Sequence, residues 1–374
     1  MRLGEMIPAP IAQLPWHILL LILAIGGFGT IVLFSAAGGS FSPWASSQGI
    51  RLTVFMGLAI VLSWVPLRVW ERIALPGYGI TLAALVAVEL LGAVKGGSQR
   101  WLDLGVIRLQ PSEFMKVFMV LAAARFYAML PGAEVRRFGG IWPAIGLIAM
   151  PAALVMLQPD LGTALMITGG GIVIMFLAGV PLRLFIGGAL GLALFIPIAV
   201  NYVLHDYQRN RVLIFMNPEA DPLGTGYHIS QSKIAIGSGG LFGKGFLQGT
   251  QSHLDYLPEG HTDFVFATMA EEWGLLGGIL LILAFMLLIR WGMNVAARSP
   301  SRFGRLAAAG LATTIFFYVA INLLMVMGFA PVVGIPLPLV SFGGSAQMTV
   351  LICVGILMSI DRASQPKPGF RRLI

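Results

Sequence analysis

Charge is what this sequence has little of. Only 11% of its 374 residues are Asp, Glu, Lys or Arg, while 57% are hydrophobic. Soluble domains carry about 25% charge, and no compact aqueous core absorbs this much apolar surface, so a bilayer must solvate most of the chain. Cysteine is nearly absent too: Cys353 stands alone, which excludes an intramolecular disulfide and leaves packing as its plain reading. No Lys/Arg stripe with interleaved aromatics appears, so the net charge of +8 does not point to nucleic acid. Internal repeats and a nucleotide-binding loop are also missing. The stretch Ser238 to Gly245 has Ser238 where a phosphate loop needs its first glycine and Gly245 where it needs Ser or Thr, which disfavours an ATP-driven pump.

What the sequence does have is a series of long apolar runs. They lie near 17–37, 52–68, 74–94, 112–130, 141–157, 161–178, 182–204, 264–290, 306–331 and 341–360. The fifth and sixth are parted only by Gln158-Pro159-Asp160, where a proline and a charge predict a tight turn. The first run ends in Ser35-Ala36-Ala37, which looks like a signal-peptide cleavage site. Its apolar core exceeds the usual range of roughly 7–15 residues and only Arg2 precedes it, so it reads as a retained helix. The expected fold is therefore an all-α polytopic transmembrane bundle of about ten spans, one membrane domain over residues 1–374.

Ten spans put both termini on one side, and the positive-inside rule selects the cytoplasm. The inner segments would hold Arg2, Arg68, Arg72, Arg125, Arg136, Arg137, Arg183, Arg290, Arg298, Arg302, Arg305, Arg362, Lys367, Arg371 and Arg372, fifteen of the 24 Lys and Arg. The short outer segments hold five: Arg51, Lys95, Arg100, Arg108 and Lys116. Between spans seven and eight runs a long outer loop, 205–262, whose Tyr227, His228, Gln231, Lys233 and Ile234-Ala235-Ile236 predict short amphipathic pieces on the membrane surface.

Ionisable residues at membrane depth are expensive, so each is a candidate for function. Glu89, Glu113, Lys116, Asp160, Asp263, Glu271 and Glu272 all fall in the outer half of this topology. Asp263 opens the eighth span. It reads either as a first-turn carboxylate capped by Thr262 or as a base tuned by burial. Ala267, Ala270, Gly274 and Gly277 lie on one stripe beneath it, which lets a neighbour approach closely. Glu113 and Lys116, three apart, are either a neutralised pair or a lysine held ready for phosphate. Asp160 reads first as a helix cap, Arg100 and Arg108 as snorkelling arginines around Trp101. Glu271-Glu272 read as helix-packing or polar-network residues, and Gly169-Gly170-Gly171 as close helix packing.

Five blocks then resemble one family. They are Gly97 to Gly105, Gln110 to Lys116, Gln158 to Ala164, Leu257 to Phe264 and Gly334 to Ser345. Their order and wording are similar to the SEDS (shape, elongation, division and sporulation) family of RodA and FtsW, closer to the RodA form. Phe342 replaces a usual tyrosine and Trp273 a common leucine. The resemblance implies a bacterial inner-membrane peptidoglycan glycosyltransferase that polymerises lipid II on the periplasmic face during cell elongation. It implies a catalytic Asp263, with Glu113, Lys116, Arg100, Asp160, Ser341 and Ser345 at the substrate. It also implies a class B penicillin-binding protein as partner, alongside other membrane proteins of the elongation complex.

An α-linked donor and a β-1,4 product need one inversion, hence one base for the acceptor hydroxyl. The leaving diphosphate needs charge, which Lys116, Arg100 or a divalent cation (Mg or Mn) can supply. A lipid II flippase and a non-catalytic scaffold are the competing readings. The outer-face bias of the charges opposes the first, and acids and a lysine in apolar spans oppose the second.

Overall fold

The computed structural model describes residues 13–91, 93–95, 98–103, 108–202, 209, 213–216, 224–254, 256–257 and 259–365. Arg2, Lys367, Arg371 and Arg372 of the inner charge set, and Gly97, Leu104, Gly105 and Pro258 of the motif blocks, lie outside the described residues.

The chain is a helical membrane bundle. Its first three helices are α1 (Trp16–Ala36), α2 (Trp44–Ser63) and α3 (Leu67–Leu91). Short antiparallel strands β1 (Ala93–Lys95), β2 (Ser98–Asp103) and β3 (Arg108–Leu109) follow, in the order β1-β2-β3. Next come α4 (Pro111–Met129), α5 (Phe138–Leu157), α6 (Leu161–Ala178) and α7 (Leu182–Tyr202). The long loop contributes α8 (Thr225–Ser238) and α9 (Thr250–His253). The chain closes with α10 (Val265–Arg298), α11 (Arg302–Val326) and α12 (Gly344–Ser364).

Each expected span falls on one of these helices. Eight of them (α1, α2, α3, α5, α6, α10, α11 and α12) are long and apolar enough to cross a membrane. The other two are α4, which carries Glu113, Lys116 and Arg125, and α7. Exposed Leu20, Ile31, Leu90, Leu194 and Leu280 face outward, as a hydrocarbon solvent requires.

Local chemistry sets the boundaries. Pro111 opens α4, where its missing N–H has no helical partner to lose, and Glu113 sits in the first turn against the positive end of the helix. Asp160 caps α6 by accepting the Thr163 N–H at 3.1 Å, so the expected turn at Gln158-Pro159-Asp160 is present. Gly169 and Gly171 allow close packing: an added Cβ would meet Phe317 at 2.7 Å and Ile148 at 2.3 Å.

The centre of the bundle is α4, α11 and α12. The α12 span is 72% buried within the protein and α11 61%, against 28% for α2 and α3. A buried helix in lipid must satisfy its polar groups internally, and the central helices carry the polar residues described below.

The helix α10 is broken. Gly274 lies at φ 64° and ψ −165°, a conformation that only glycine adopts freely. The loop before it replaces the lost helical bonds. Lys244 N–H donates to Glu271 O at 2.9 Å and Gly245 N–H to Glu272 O at 3.1 Å. Leu275 N–H donates to Gly240 O at 2.9 Å and Leu276 N–H to Leu241 O at 3.2 Å. The stripe expected from Asp263 to Gly277 is thus interrupted at Gly274 rather than continuous. The glycine-rich stretch that looked like a phosphate loop gives two amides, of Lys244 and Gly245, and two carbonyls, of Gly240 and Leu241, to this break.

Candidate active site

The Glu113–Lys116 pair forms, and it is closed. Lys116 Nζ donates to Glu113 Oε1 at 2.7 Å and to Tyr318 Oη at 2.6 Å. The Tyr318 hydroxyl and Thr349 Oγ1 both donate to Glu113 Oε2, Thr349 at 2.6 Å. Lys116 Nζ also sits 4.4 Å from the Tyr318 ring centroid. Both charged residues are buried, 5% and 2% exposed, so α4, α11 and α12 are tied together by a neutral tetrad.

Arg100 and Asp160 form a second closed group. Strand β2 carries Arg100 across to the α5–α6 turn, where Nε donates to Gln158 O at 3.0 Å and Nη2 to Pro159 O. Its Nη1 lies 4.0 Å from Asp160 Oδ2. Arg100 therefore braces a turn, while the Arg108 side chain lies outside the described residues.

Asp263 differs from the expected first-turn position. It lies in the turn 261–264, before α10 begins at Val265. Thr262 does not cap the helix, because its hydroxyl donates to Glu259 Oε2 at 2.5 Å. The half-buried Asp263 carboxylate faces Gly334, whose added Cβ would lie 3.4 Å from Oδ2. Its carbonyl accepts Asn322 Nδ2 at 2.8 Å, and the same Nδ2 donates to Ile335 O at 2.7 Å. Glu259 at φ 57° holds left-handed backbone four residues before it, a local strain of the kind found at functional turns.

An aromatic shelf borders the turn. His261 stacks on Trp44 with centroids 4.0 Å apart and 10° between planes. Its carbonyl accepts the Phe342 N–H at 2.9 Å. Burial pushes the His261 imidazole below its ordinary value, opposed by the Glu259 charge. Ser341 is buried, with Oγ accepting the Leu337 N–H at 2.8 Å, so its hydroxyl serves the turn; Ser345 is half-buried in the first turn of α12.

Glu271 and Glu272 form the expected polar network. Glu271 Oε1 accepts Lys244 Nζ at 2.6 Å, Thr250 N–H and Oγ1 at 2.9 Å, and Gln251 N–H at 3.1 Å. Glu272 Oε1 accepts Ser35 Oγ at 2.5 Å. Among the described residues no three His, Cys, Asp or Glu are grouped to hold a metal.

Tyr318, Asn322 and Thr349 escape a hydropathy reading because each is a neutral polar residue in an apolar span. Their signal was weak but present: Tyr318 and Asn322 are four apart, on one helical face.

These features define a multi-pass membrane protein with buried ion pairs and a strained acidic turn at one end of its bundle. It belongs to the FtsW, RodA and SpoVE family, described as "Cell cycle protein", which matches residues 13–366. It is similar to peptidoglycan glycosyltransferase MrdB of Escherichia coli (strain K12), 47% identical over 91% of this chain and 92% of that one. It is also similar to peptidoglycan glycosyltransferase RodA of Treponema pallidum (strain Nichols), 30% identical over 94% of this chain and 98% of the relative. Among solved structures, a chain from a peptidoglycan synthase complex, described as coordinating polymerization and crosslinking, superposes with a TM-score of 0.82. That chain is 32% identical, with 95% of this chain and 99% of the other covered. Thermus thermophilus RodA superposes with a TM-score of 0.71 at 29% identity, covering 95% and 98%.

Proposed function

We propose that this chain is a peptidoglycan polymerase that joins lipid II units into β-1,4 glycan strands at the periplasmic face of the inner membrane. The observation that carries the reading is Asp263, an acid held in a strained turn at the end of the bundle where α4, α10 and α12 begin. The relatives named peptidoglycan glycosyltransferases support it.

In this reading the Asp263 carboxylate accepts the proton of the acceptor 4-hydroxyl as that oxygen attacks C1 of the donor sugar. The bond from C1 to the diphosphate oxygen breaks on the opposite face, its electron pair leaves with undecaprenyl diphosphate, and the configuration inverts once. A single carboxylate suffices, because the diphosphate leaves without needing a proton. Asn322 sets the turn. The closed pairs Glu113–Lys116 and Arg100–Asp160 hold the frame around it rather than meeting the diphosphate directly.

A class B penicillin-binding protein is the proposed partner, supported by likeness to a chain from a synthase complex that couples polymerization to crosslinking. Purified chain given labelled lipid II in vesicles, with and without that partner, is the test. Polymer in either arm supports the reading. Translocated but unpolymerised lipid II identifies a flippase, and neither outcome in either arm identifies a scaffold.

A further inference from the structure

Two cations near the proposed site, among the described residues, are already committed. Lys116 is neutralised by Glu113 and Arg100 is committed to the Gln158–Asp160 turn. Arg51, half-buried on α2, has no acid partner among the described residues. Lys233 also lacks one, but it is exposed and can be hydrated.

The placement of Arg51 makes its lack of a partner costly. Trp44, Gln48 and Arg51 fall at i, i+4 and i+7 on α2, one helical face. Trp44 stacks on His261, Gln48 Nε2 donates to Leu339 O at 3.0 Å, and the Arg51 guanidinium lies 4.7 Å over the Phe342 ring. Seven residues place Arg51 about 10 Å along the helix from Trp44. A half-buried charge is expensive unless it meets its opposite.

Its neighbour worsens the balance. A Cβ added at Gly344 would lie 3.3 Å from Cδ, Nε and Nη1 of Arg51, so the guanidinium presses on the start of α12. That helix N-terminus carries no side-chain cap and is itself the positive end of a dipole. Two positive features therefore converge with no anion between them among the described residues. Fully buried polar atoms on the same two helices, Gln48 Oε1 and both amide atoms of Gln347, also lack hydrogen-bond partners.

We propose that Arg51 is a substrate-binding residue whose guanidinium, held over the Phe342 ring, takes a phosphate oxygen of the lipid-linked diphosphate, together with the first amides of α12. This rests on the function proposed above and supplies the charge that Lys116 and Arg100 do not offer. The planar fork of arginine suits two oxygens of one phosphate, and the aromatic face beneath it holds its position.

The test uses the full chain in nanodiscs, with undecaprenyl diphosphate as probe and the ligand-induced rise in thermal midpoint as readout. Arg51→Gln should need on the order of tenfold more probe for the same rise. In polymerisation it should raise KM more than it lowers kcat. Arg51→Lys should fall between, because charge survives without the fork. Should Arg51→Gln fail to fold, Phe342→Leu keeps the charge but removes the ring beneath it, and it should weaken binding to a lesser degree.

Equal probe dependence in Arg51→Gln and wild type, or in Phe342→Leu where that variant must serve, overturns the proposal. So does an equal loss with phosphatidylglycerol in place of the diphosphate, which would make Arg51 a general headgroup contact. Asp263→Asn separates this inference from the one it rests on. It should bind the probe as wild type does, and polymerisation by it would remove the base while the Arg51 comparison stood.

Discussion

Tyr318 and Asn322 stand one turn apart on the same face of α11, and between them they hold both halves of the site. Tyr318 reaches the Glu113–Lys116 pair, while Asn322 donates to the carbonyls of Asp263 and Ile335. Four residues of helix separate these anchors by about 6 Å along the axis. The buried ion pair therefore fixes α11 against α4 and α12, and α11 in turn fixes the acidic turn. Packing in the core is thereby coupled to the position of the Asp263 backbone.

Asn322→Ala tests that coupling. The change leaves two carbonyls without their donor, which costs about 1–3 kcal/mol for each that stays dry. A turn displaced by about 1 Å loses on the order of 10²-fold in rate. The expected result is a folded protein with kcat reduced about 10–100-fold and substrate binding preserved. Unchanged polymer formation per folded molecule would show that the turn holds its place without α11.

For the buried tetrad, Lys116→Met should act on folding first. It leaves Glu113 charged and unpaired in the core, a loss of about 3–5 kcal/mol. Adding Glu113→Gln removes the stranded charge, and this double variant should recover its thermal midpoint and most of its polymerisation. A double variant that folds but makes no polymer would return Lys116 to direct work on the diphosphate.

Topology is checked by reporter fusions. A reporter at residue 240 should read as periplasmic and one after residue 365 as cytoplasmic, following the excess of fifteen inner over five short-outer Lys and Arg. Reversal at both positions would put the acidic turn on the wrong side for lipid-linked sugars.

Much of this architecture was legible beforehand because the bilayer imposes a simple code. Long apolar runs map onto helices, and the charges at Asp160 and at Glu113–Lys116 mark a helix cap and an ion pair that the structure contains. Neutral polar residues within the spans were barely legible. Tyr318, Asn322 and Thr349 barely alter the hydropathy of their helices, yet three-dimensional packing brings them to Glu113 and Asp263. The break at Gly274 was hidden for a related reason. A lone glycine in an apolar helix usually means close packing, and only the returning loop, with Leu275 bonded to Gly240, makes an interruption affordable. Arg51 was visible only as an outer charge, since its lack of a partner is a property of the fold.

The Trp44–His261 stack should make stability depend on pH. Burial holds the His261 imidazole below its ordinary 6.5, so as pH falls the unfolded chain takes up a proton first. The contribution of the neutral stack is complete above that value, declines as pH drops toward the lower folded-state value, and is lost below it. Wild type should therefore lose more thermal midpoint between pH 7.5 and pH 5 than His261→Phe, which keeps a ring against Trp44 but cannot titrate. Identical losses in the two proteins would exclude His261 from the acid sensitivity.

Asp263 decides whether the site is chemical or merely structural. Asp263→Asn keeps the size of the side chain, the approach to Gly334 and the carbonyl that Asn322 holds, but it cannot accept a proton near neutral pH. If the carboxylate is the base, this variant should fold, bind lipid II and associate with its partner while polymerisation falls by about 10²–10⁴. A structural aspartate would behave differently, because losing a turn or dipole contact costs about 0.5–2 kcal/mol. That loss would appear as reduced yield with turnover per folded molecule intact. Asp263→Glu adds a geometric control. It retains the proton acceptor but moves it by about 1 Å toward the Gly334 bend, and misplacement on that scale costs on the order of 10²-fold. The base reading therefore requires both variants to be slow for different reasons. Raising the pH should restore neither, since asparagine has nothing to ionise and glutamate is already charged. Near-normal turnover by the asparagine variant would remove Asp263 from the reaction.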